Sequence, residues 1–336
     1  MSKFGLDVLR KWVYPFTDTD DPKVIRGAEF GEDVALTRVG GDILASHMDP
    51  IVGAMKGISR LAVHVACNDI AASGVPPRWI LLLVMLPGPE DAWRLEAIMK
   101  DASQAAEEVG ASIIGGHTGY SSGITRPLVA ATAMGIAGGR HVLGTAGAKP
   151  GDHVLVTKGV GLEGTAILAS DFADVARKLG LDQEALEDAC TLAEKVSVLP
   201  EALLLADYGA SAMHDVTRGG LVEALLEIAF RSGVGMDVEV DRIPVPVEVL
   251  RFTQAFDFDP LRMISSGTLA ATVPEAHVKA AMQAVEGVDV RIQDVGRVIE
   301  GGGVQLRYED EVRVLYDPTP EEDELARMWQ IYPREG

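Results

Sequence analysis

The chain has few basic residues. Thirty Lys and Arg stand against fifty Asp and Glu in 336 residues, which gives a formal net charge of −20. Such a surface repels the phosphate backbone of nucleic acids, so we expect no nucleic-acid partner. A phosphorylated small ligand would be repelled by the carboxylates as well, unless a divalent cation bridged the two. The charge balance therefore disfavours nucleic-acid binding and predicts that a phosphorylated ligand binds only together with a divalent cation.

Cysteine and long apolar runs are also scarce. The two cysteines, Cys67 and Cys190, lie in helix-like apolar stretches without CxxC spacing, which predicts free thiols packed as small core residues in a reducing cytoplasm. The longest apolar run, residues 79–87, is far too short to span a bilayer, so we expect no membrane partner. Residues 1–16 lack the apolar core and cleavage site of a signal peptide. We expect a cytoplasmic protein.

Two common catalytic patterns are missing. The seven histidines include no HxxxH or HxH pair, which disfavours a zinc hydrolase. Residues 265–267 do not have the GxSxG form and neither cysteine has a positioned base, so no nucleophilic triad is expected. Among the histidines, His117 is the best functional candidate because a double glycine exposes it after a strand. His64, on a central helix, is expected to be packed.

A glycine-rich loop opens the second half of the chain. Gly159, Gly161 and Gly164 form a GxGxxG that follows a predicted strand and precedes a predicted helix. The acidic residue about twenty positions later, at the end of a second strand, is replaced by helix-like sequence, so we reject a nicotinamide site. Backbone N–H groups at a helix N-terminus can still bind an anion. Phosphate binding and a purely structural turn both remain open here.

The length of the chain predicts two domains, which we place at residues 1–148 and 149–336. The central helix of the first half covers residues 58–74, where apolar residues recur at three- and four-residue steps before Gly74 and two prolines. Asp69 lies near its C-terminal end, where the helix dipole disfavours a carboxylate, and no Lys or Arg lies within four residues. We therefore expect a cationic group from outside the helix to compensate Asp69.

Four aspartates lie at the ends of predicted elements: Asp33, Asp49, Asp69 and Asp215. Asp33 begins and Asp49 ends a predicted hairpin, so both can reach one rim of a sheet. Magnesium binds hard oxygen ligands and bridges carboxylates to phosphates, so these residues suit magnesium better than zinc. Taken singly, each aspartate is explained as well by an Asx turn or a helix cap.

In this order, the motifs resemble the aminoimidazole ribonucleotide synthetase (PurM-like) superfamily over about residues 31–296. Residues 31–35 (GEDVA) resemble its Gly-Asp-Asp-Ala-Ala, and residues 68–74 (NDIAASG) resemble its Asn-Asp-Leu-Ala-x-x-Gly helix. Residues 115–118 (GGHT) are similar to its Gly-Gly-Asp/Glu/His-Thr turn. Residues 215–221 (DVTRGGL) are similar to the Asp-Pro-Thr-Arg-Gly-Gly-Leu of the hydrogenase-maturation (HypE) branch. The resemblance implies an α+β fold, with an N-terminal α/β domain that dimerises and a C-terminal ferredoxin-like α+β domain.

The resemblance also implies a set of site residues. The ligands of magnesium-ATP would be Asp33, Asp49, Asp69 and Asp215, and the catalytic groups would be Asp215, His117 and Asn68. The cofactor-binding backbone would include the GxGxxG loop and a second loop at a helix start, where N–H groups can hold phosphate. That second loop consists of Thr217, Arg218, Gly219 and Gly220.

The expected activity is magnesium-ATP-dependent phosphorylation or activation of an oxygen on a small substrate, by a kinase or by a dehydratase or ligase. We expect a homodimer formed through the first half, because strands at 35–46 and 128–137 would otherwise leave open edges. The alternative is a nucleotide-binding partner without turnover in a metalloenzyme maturation complex.

Two features of the related branches are missing from this sequence. The HypE branch ends in a cysteine that receives a carbamoyl group, whereas residues 332–336 here read YPREG. Residues 1–30 contain no cysteine like the reactive one of selenophosphate synthetases. We expect neither chemistry in the same form, and therefore a separate acceptor molecule.

Overall fold

Two β-sheets, one in each half, carry the fold of residues 4–51, 57–318 and 323–332, the part of the chain that the computed structural model describes. In that part, the first sheet has the spatial order β1-β2-β3-β6-β4-β5, and all its neighbours are antiparallel except β4 and β5. Its strands are β1 (Val24–Arg26), β2 (Ala35–Val39), β3 (Asp42–Ile51), β4 (Trp79–Leu86), β5 (Ser112–Tyr120) and β6 (Leu128–Ile136).

Two of the helices of this half, Ile58–Ala72 and Leu95–Glu108, pack on the first sheet. The helices of this half are α1 (Leu6–Trp12), α2 (Tyr14–Thr17), α3 (Ile58–Ala72) and α4 (Leu95–Glu108). The predicted central helix is confirmed as α3, which ends just before Gly74. Gly74 has φ 78°, and a Cβ there would lie 2.7 Å from the carbonyl oxygen of His141. Only glycine fits this left-handed, crowded turn, which leads the chain into β4.

The second sheet has the order β13-β12-β9-β11-β7-β10-β8. Its neighbouring strands are antiparallel apart from β12 and β9. Its strands are β7 (His153–Thr157), β8 (Ala212–Asp215), β9 (Gly235–Glu239), β10 (Leu269–Val273), β11 (Ile292–Ile299), β12 (Gly303–Arg307) and β13 (Val312–Leu315). The accompanying helices are α5 (Leu162–Asp171), α6 (Ala173–Lys178), α7 (Gln183–Cys190), α8 (Leu199–Asp207), α9 (Gly220–Ser232), α10 (Val247–Phe256), α11 (Glu275–Glu286) and α12 (Glu324–Ile331).

Helix α3 belongs to the cores of both halves. Ala62, Ala66 and Ile70 are fully buried in the core of the first half. At the C-terminal end of the same helix, Ala71 packs in a cluster with Leu205 of α8 and other residues of the second half. The last turn of α3 therefore lies between the two halves of the chain, which brings Asp69 to their boundary.

Two expectations from the sequence are wrong. Residues 35–46 and 128–137 do not form open edges, because β2 lies between β1 and β3, and β6 lies between β3 and β4. The edges of the first sheet, within the strands described, are β1 and β5. Cys67 is buried as expected, but Cys190 is exposed and does not act as a core residue.

Two further observations bear on the expectations about membranes and the C-terminus. Among residues 4–51, 57–318 and 323–332, no helix is long and apolar enough to cross a membrane. Residues 333–336, which carry most of the expected C-terminal difference from the HypE branch, lie outside the described residues.

Candidate active site

Carboxylates from both halves converge where α3, β8 and the loop before β2 meet. Asp33, Asp69 and Asp215 line one cleft. Asp49, on β3, lies close enough for its charge to act on Asp69. Burial raises the pKa of Asp69 well above its ordinary value, and repulsion from Asp215, Asp33 and Asp49 raises it further. The structure thus gathers the four predicted aspartates into one region, which we call the acidic centre.

Asp215 is the most deeply buried member of the acidic centre. It is 1% exposed, and neither of its carboxylate oxygens has a hydrogen-bond partner among the residues described. Nδ1 of His214 lies 3.8 Å from its Oδ1. A buried carboxylate without hydrogen bonds is costly, so these two oxygens suit a bound cation.

The donor set has the chemistry that magnesium requires but is not a closed cage. Among residues 4–51, 57–318 and 323–332, no three His, Cys, Asp or Glu side chains are already gathered around a common metal position. Magnesium commonly takes one or two protein carboxylates and completes its octahedron with water and phosphate oxygens. An open carboxylate site therefore fits magnesium held together with a nucleotide.

His214 supplies positive charge inside this acidic region. Its Nε2 lies 2.5 Å from Oε2 of Glu227 and 3.6 Å from Oδ2 of Asp33. Its Nδ1 donates to the backbone carbonyl of Asp215 at 2.7 Å. Burial alone would lower the pKa of His214, but its contacts with Asp215 and Glu227 raise that pKa well above its ordinary value. The resulting imidazolium balances part of the negative charge.

His47 is the expected partner of Asp69 from outside α3. Its Nε2 lies 3.2 Å from Oδ2 of Asp69, and its Nδ1 lies 2.5 Å from the backbone oxygen of Asp33. Sequence reasoning ranked His117 above both His47 and His214. A usable signal existed, because His47 precedes Asp49 by two residues on one strand face and His214 directly precedes Asp215.

His117 lies on the other side of the first sheet. It pairs with Leu83 of β4, and Leu83 in turn aligns with Ala130 and Pro50 on the neighbouring strands. Three strand spacings separate β5 from β3, roughly 14 Å. Residues aligned across strands share a face, so His117 lies on the face of Pro50. Asp49 directly precedes Pro50 and therefore lies on the opposite face. Within one chain, the predicted catalytic His117 is not brought to the acidic centre.

Asn68, predicted to be catalytic, has both polar atoms of its side chain in hydrogen bonds within the chain. The residue is fully buried. Its Nδ2 donates to the carbonyl oxygen of Val196 at 2.7 Å, and its Oδ1 accepts from the backbone N–H of Val198 at 2.9 Å. Both polar atoms of the amide are therefore engaged with the second half of the chain. This residue fastens α3, and with it Asp69, to the segment before α8.

The GxGxxG loop of Gly159, Gly161 and Gly164 is a packed turn, which favours the structural alternative over phosphate binding. All three glycines are buried. Three N–H groups of the loop donate to protein oxygens: Val160 to Pro244 O, Leu162 to Ser265 Oγ and Gly164 to Ile264 O. These acceptors lie some eighty to one hundred residues away in sequence, beyond what a local motif reveals.

The second predicted phosphate loop is closed by the chain itself. Gly219, at the start of α9, donates its N–H to Oδ2 of Asp323 at 3.1 Å. The N–H of Gly220 turns back to the carbonyl of Thr217 at 3.2 Å. In the loop of Thr217, Arg218, Gly219 and Gly220, two of the N–H groups that could bind a phosphate are therefore engaged within the chain.

Comparison with known families places both halves in one group. Residues 31–137 match the model for the N-terminal domain of AIR synthase related proteins, and residues 149–309 match the model for the C-terminal domain. A similar curated protein is the carbamoyl dehydratase HypE of Cupriavidus necator, 30% identical over 260 residues that cover 74% of this chain and 70% of that protein. Another is the selenide, water dikinase of Geobacter sp., 29% identical over 251 residues, covering 73% and 69%.

Solved structures share the fold. A crystal structure of Escherichia coli HypE has a TM-score of 0.71 at 23% identity, and covers 90% of this chain and 96% of that one. A structure of AaThiL complexed with AMPPCP and TMP has a TM-score of 0.68 at 18% identity, and covers 85% and 91%. At these identities the likeness concerns the fold alone.

Proposed function

Because the chain belongs to the AIR synthase related protein family, whose named relatives are enzymes, we propose that it is an ATP-dependent enzyme that uses magnesium to phosphorylate or activate an oxygen on a small substrate. The named relatives include a carbamoyl dehydratase and a dikinase. A HypE structure in complex with ATP has a similar fold, with a TM-score of 0.70 at 24% identity. These likenesses support ATP as the cofactor and leave the acceptor open.

The observation that carries the proposal is the acidic centre with the unsatisfied oxygens of Asp215. Asp33, Asp69 and Asp215 would hold magnesium, with Asp49 beside them. When bound, the ion supplies the positive charge that lets nucleotide phosphates approach carboxylates. This accords with a chain whose net charge of −20 disfavours phosphate binding without a cation.

The chain's own residues then bind and orient. His214 and His47 hold the aspartates in place through contacts with Asp33, Asp69 and the backbone of Asp215. Transfer of a phosphoryl group depends mainly on positioning and on charge neutralisation, so no covalent nucleophile is needed. A kinase and a dehydratase or ligase share this first step, in which an oxygen of the acceptor takes the phosphoryl group.

We also propose a domain boundary and a fold for the second domain. The domain boundary lies at residues 148 and 149, which the separate family-model matches support. The second domain is ferredoxin-like, which is supported by the order β11-β7-β10-β8 of mutually antiparallel strands and by the helices that link β7 to β8 and β10 to β11.

We further propose that the active form is a cytoplasmic homodimer joined through the first sheet. The face of this sheet opposite α3 exposes apolar side chains, among them Met48 at 65% and Leu81 at 38%. Ile114, on the edge strand β5, is 56% exposed. An uncovered apolar face next to an open strand edge is typical of a surface that a second copy covers.

Calorimetric titration with ATP tests the function. We expect binding heat with magnesium and little with excess chelator, and we expect Asp69→Asn to weaken the magnesium-dependent part. Glu96→Gln, an exposed change on α4, is the control and should bind as the unmodified chain does. Equal ATP affinity with magnesium and with chelator would contradict the metal-bridged site.

A further inference from the structure

The loop that carries Asp33 is fastened to the second half by the residue before it. The side chain of Glu32 is 2% exposed, and its two oxygens meet four partners. Oε2 lies 3.1 Å from Nη1 of Arg26 and accepts from the backbone N–H of Thr145 at 3.4 Å. Oε1 accepts from the N–H of Ala146 at 3.2 Å and lies 3.5 Å from Nε of Arg231. One carboxylate thus joins β1, the segment between the halves and α9.

The residues before Glu32 pack on the same turn of α9. Gly31 has φ 74°, and a Cβ there would lie 3.1 Å from Cγ of Arg231, so a larger residue would press against that side chain. The rings of Phe30 and Phe230 meet edge to face with centroids 5.7 Å apart. Glu29 pairs with Arg231 at the surface. We call residues 29–32 with Phe230 and Arg231 the Glu32 clasp.

The clasp connects the two sides of the acidic centre. Helix α9, which receives Glu32, also carries Glu227, and Glu227 holds His214 at 2.5 Å. His214 directly precedes Asp215, as Glu32 directly precedes Asp33. The position of Asp33 relative to Asp215 therefore depends on how the clasp seats residues 29–32 against α9.

We propose that Glu32 and Arg231 are positioning residues, which set Asp33 against Asp215 and thereby the affinity of the acidic centre for magnesium-ATP. This inference rests on the proposed function. Glutamate suits the position because one carboxylate must span two arginines and two backbone N–H groups, all within 3.1–3.5 Å. A neutral amide of the same size loses the charge and places an NH₂ group against N–H donors.

Glu32→Gln tests the inference, with Glu29→Gln as the matched control. Both changes remove a carboxylate that faces Arg231, but Glu29 is half-exposed whereas Glu32 is buried. We expect Glu32→Gln to weaken magnesium-ATP binding roughly 10- to 100-fold, the range seen when a partner of a metal ligand is removed. Hydrogen exchange at the amides of Thr145 and Ala146 should rise at the same time. Glu29→Gln should change neither quantity, and Glu32→Asp, which keeps the charge, should recover part of the affinity.

The outcomes separate this inference from the function beneath it. Binding by Glu32→Gln as tight as by the unmodified chain, with or without faster exchange, would overturn the positioning role and leave the proposed function intact. No magnesium-dependent binding by the unmodified chain would overturn the proposed function and the inference with it. Should Glu32→Gln fail to fold, Arg231→Lys applies the same test, because it keeps the charge and loses the guanidinium geometry.

Discussion

Each carboxylate of the acidic centre has its own balance between burial and neighbouring charge. Burial and the charges of three other aspartates raise the pKa of Asp69, and Nε2 of His47 lies 3.2 Å from its Oδ2. Asp215 is buried without a hydrogen bond to either oxygen from the residues described. Such a group destabilises the fold unless a cation is present, which is the usual cost of a binding site built from like charges.

We predict that Asp215→Asn abolishes magnesium-dependent ATP binding without lowering the melting temperature. The change removes the repulsion between Asp215 and Asp69, and relieving one pKa unit of such repulsion is equivalent to about 1.4 kcal/mol. Scanning calorimetry and ATP titration on the same preparation measure both effects. Asp241→Asn, at an exposed position, is the control.

The contrary result would assign Asp215 a different role. If it acted as a helix cap, its replacement would lower stability by about 0.5–2 kcal/mol and spare ATP binding. The structure shows no such cap, because Asp215 ends β8 and α9 begins at Gly220.

The residue scale also shows where sequence reasoning succeeds and where it stops. Asp33, Asp69 and Asp215 could be placed at one site because each ends or borders a predictable element. The contacts of the loop around Gly161 could not be predicted, because the N–H of Leu162 donates to Ser265, more than one hundred positions away. The contacts of Asn68 could not be predicted for the same reason, since Val196 and Val198 lie in the other half.

At the scale of elements, α3 is the helix on which the site depends. It carries Asp69 and Asn68 in its last turns and the buried His64 closer to its middle. Burial and, to a smaller extent, the charge of Arg60 lower the pKa of His64 to about 4, although Glu108 opposes the shift. His64 is therefore held neutral in the folded chain, as expected for a packed histidine.

We predict that folded stability falls as the pH drops from about 6.5 to about 4 because of His64. In this window the unfolded chain, with an ordinary histidine pKa of about 6.5, binds more protons than the folded chain, so acid favours unfolding. The contribution of neutral His64 to the free energy of unfolding is fully present above pH 6.5. It amounts to roughly 3 kcal/mol and is lost as the pH falls through the folded-state pKa.

Urea denaturation at several pH values tests this linkage. His64→Gln should show a shallower decline of stability between pH 6.5 and 5 than the unmodified chain. His277→Gln, at an exposed position, should decline as the unmodified chain does. Equal slopes for His64→Gln and the unmodified chain would contradict the assignment.

Element boundaries were predicted well where the signal is local. The helix predicted at residues 58–74 is found as α3, two residues shorter, and the apolar run at residues 79–87 contains β4. Strand β5 continues through its glycines, because they pair with β4. The order of strands in each sheet depends on pairing between strands that are far apart in the sequence. The periodicity of apolar residues does not encode this pairing.

At the scale of the whole molecule, the proposed dimer explains why the first sheet has an uncovered apolar face. We predict that sedimentation at micromolar concentration reports about twice 35.7 kDa. Ile114→Asp should raise the dimer dissociation constant by roughly two to three orders of magnitude, because an unpaired buried carboxylate costs several kcal/mol.

The matched control for the dimer is Val288→Asp, which places the same charge at an exposed apolar position of the second half. It should leave the sedimentation of the chain unchanged. A monomer in the unmodified chain, or equal effects of the two substitutions, would contradict a dimer formed through the first sheet.

The hydrogen bonds of Asn68 to Val196 and Val198 also bear on how the chain is made. Their partners are separated by 128 and 130 residues, so the last turn of α3 leaves the ribosome long before the segment that covers it. Until translation passes residue 198, the side-chain amide of Asn68 lacks its hydrogen-bond partners, and the apolar surface of Ala71 and Ala72 is uncovered. The acidic centre is complete only once Asp215 has left the ribosome. The surface of α3 that the second half covers therefore stays exposed to solvent until that half has been synthesised.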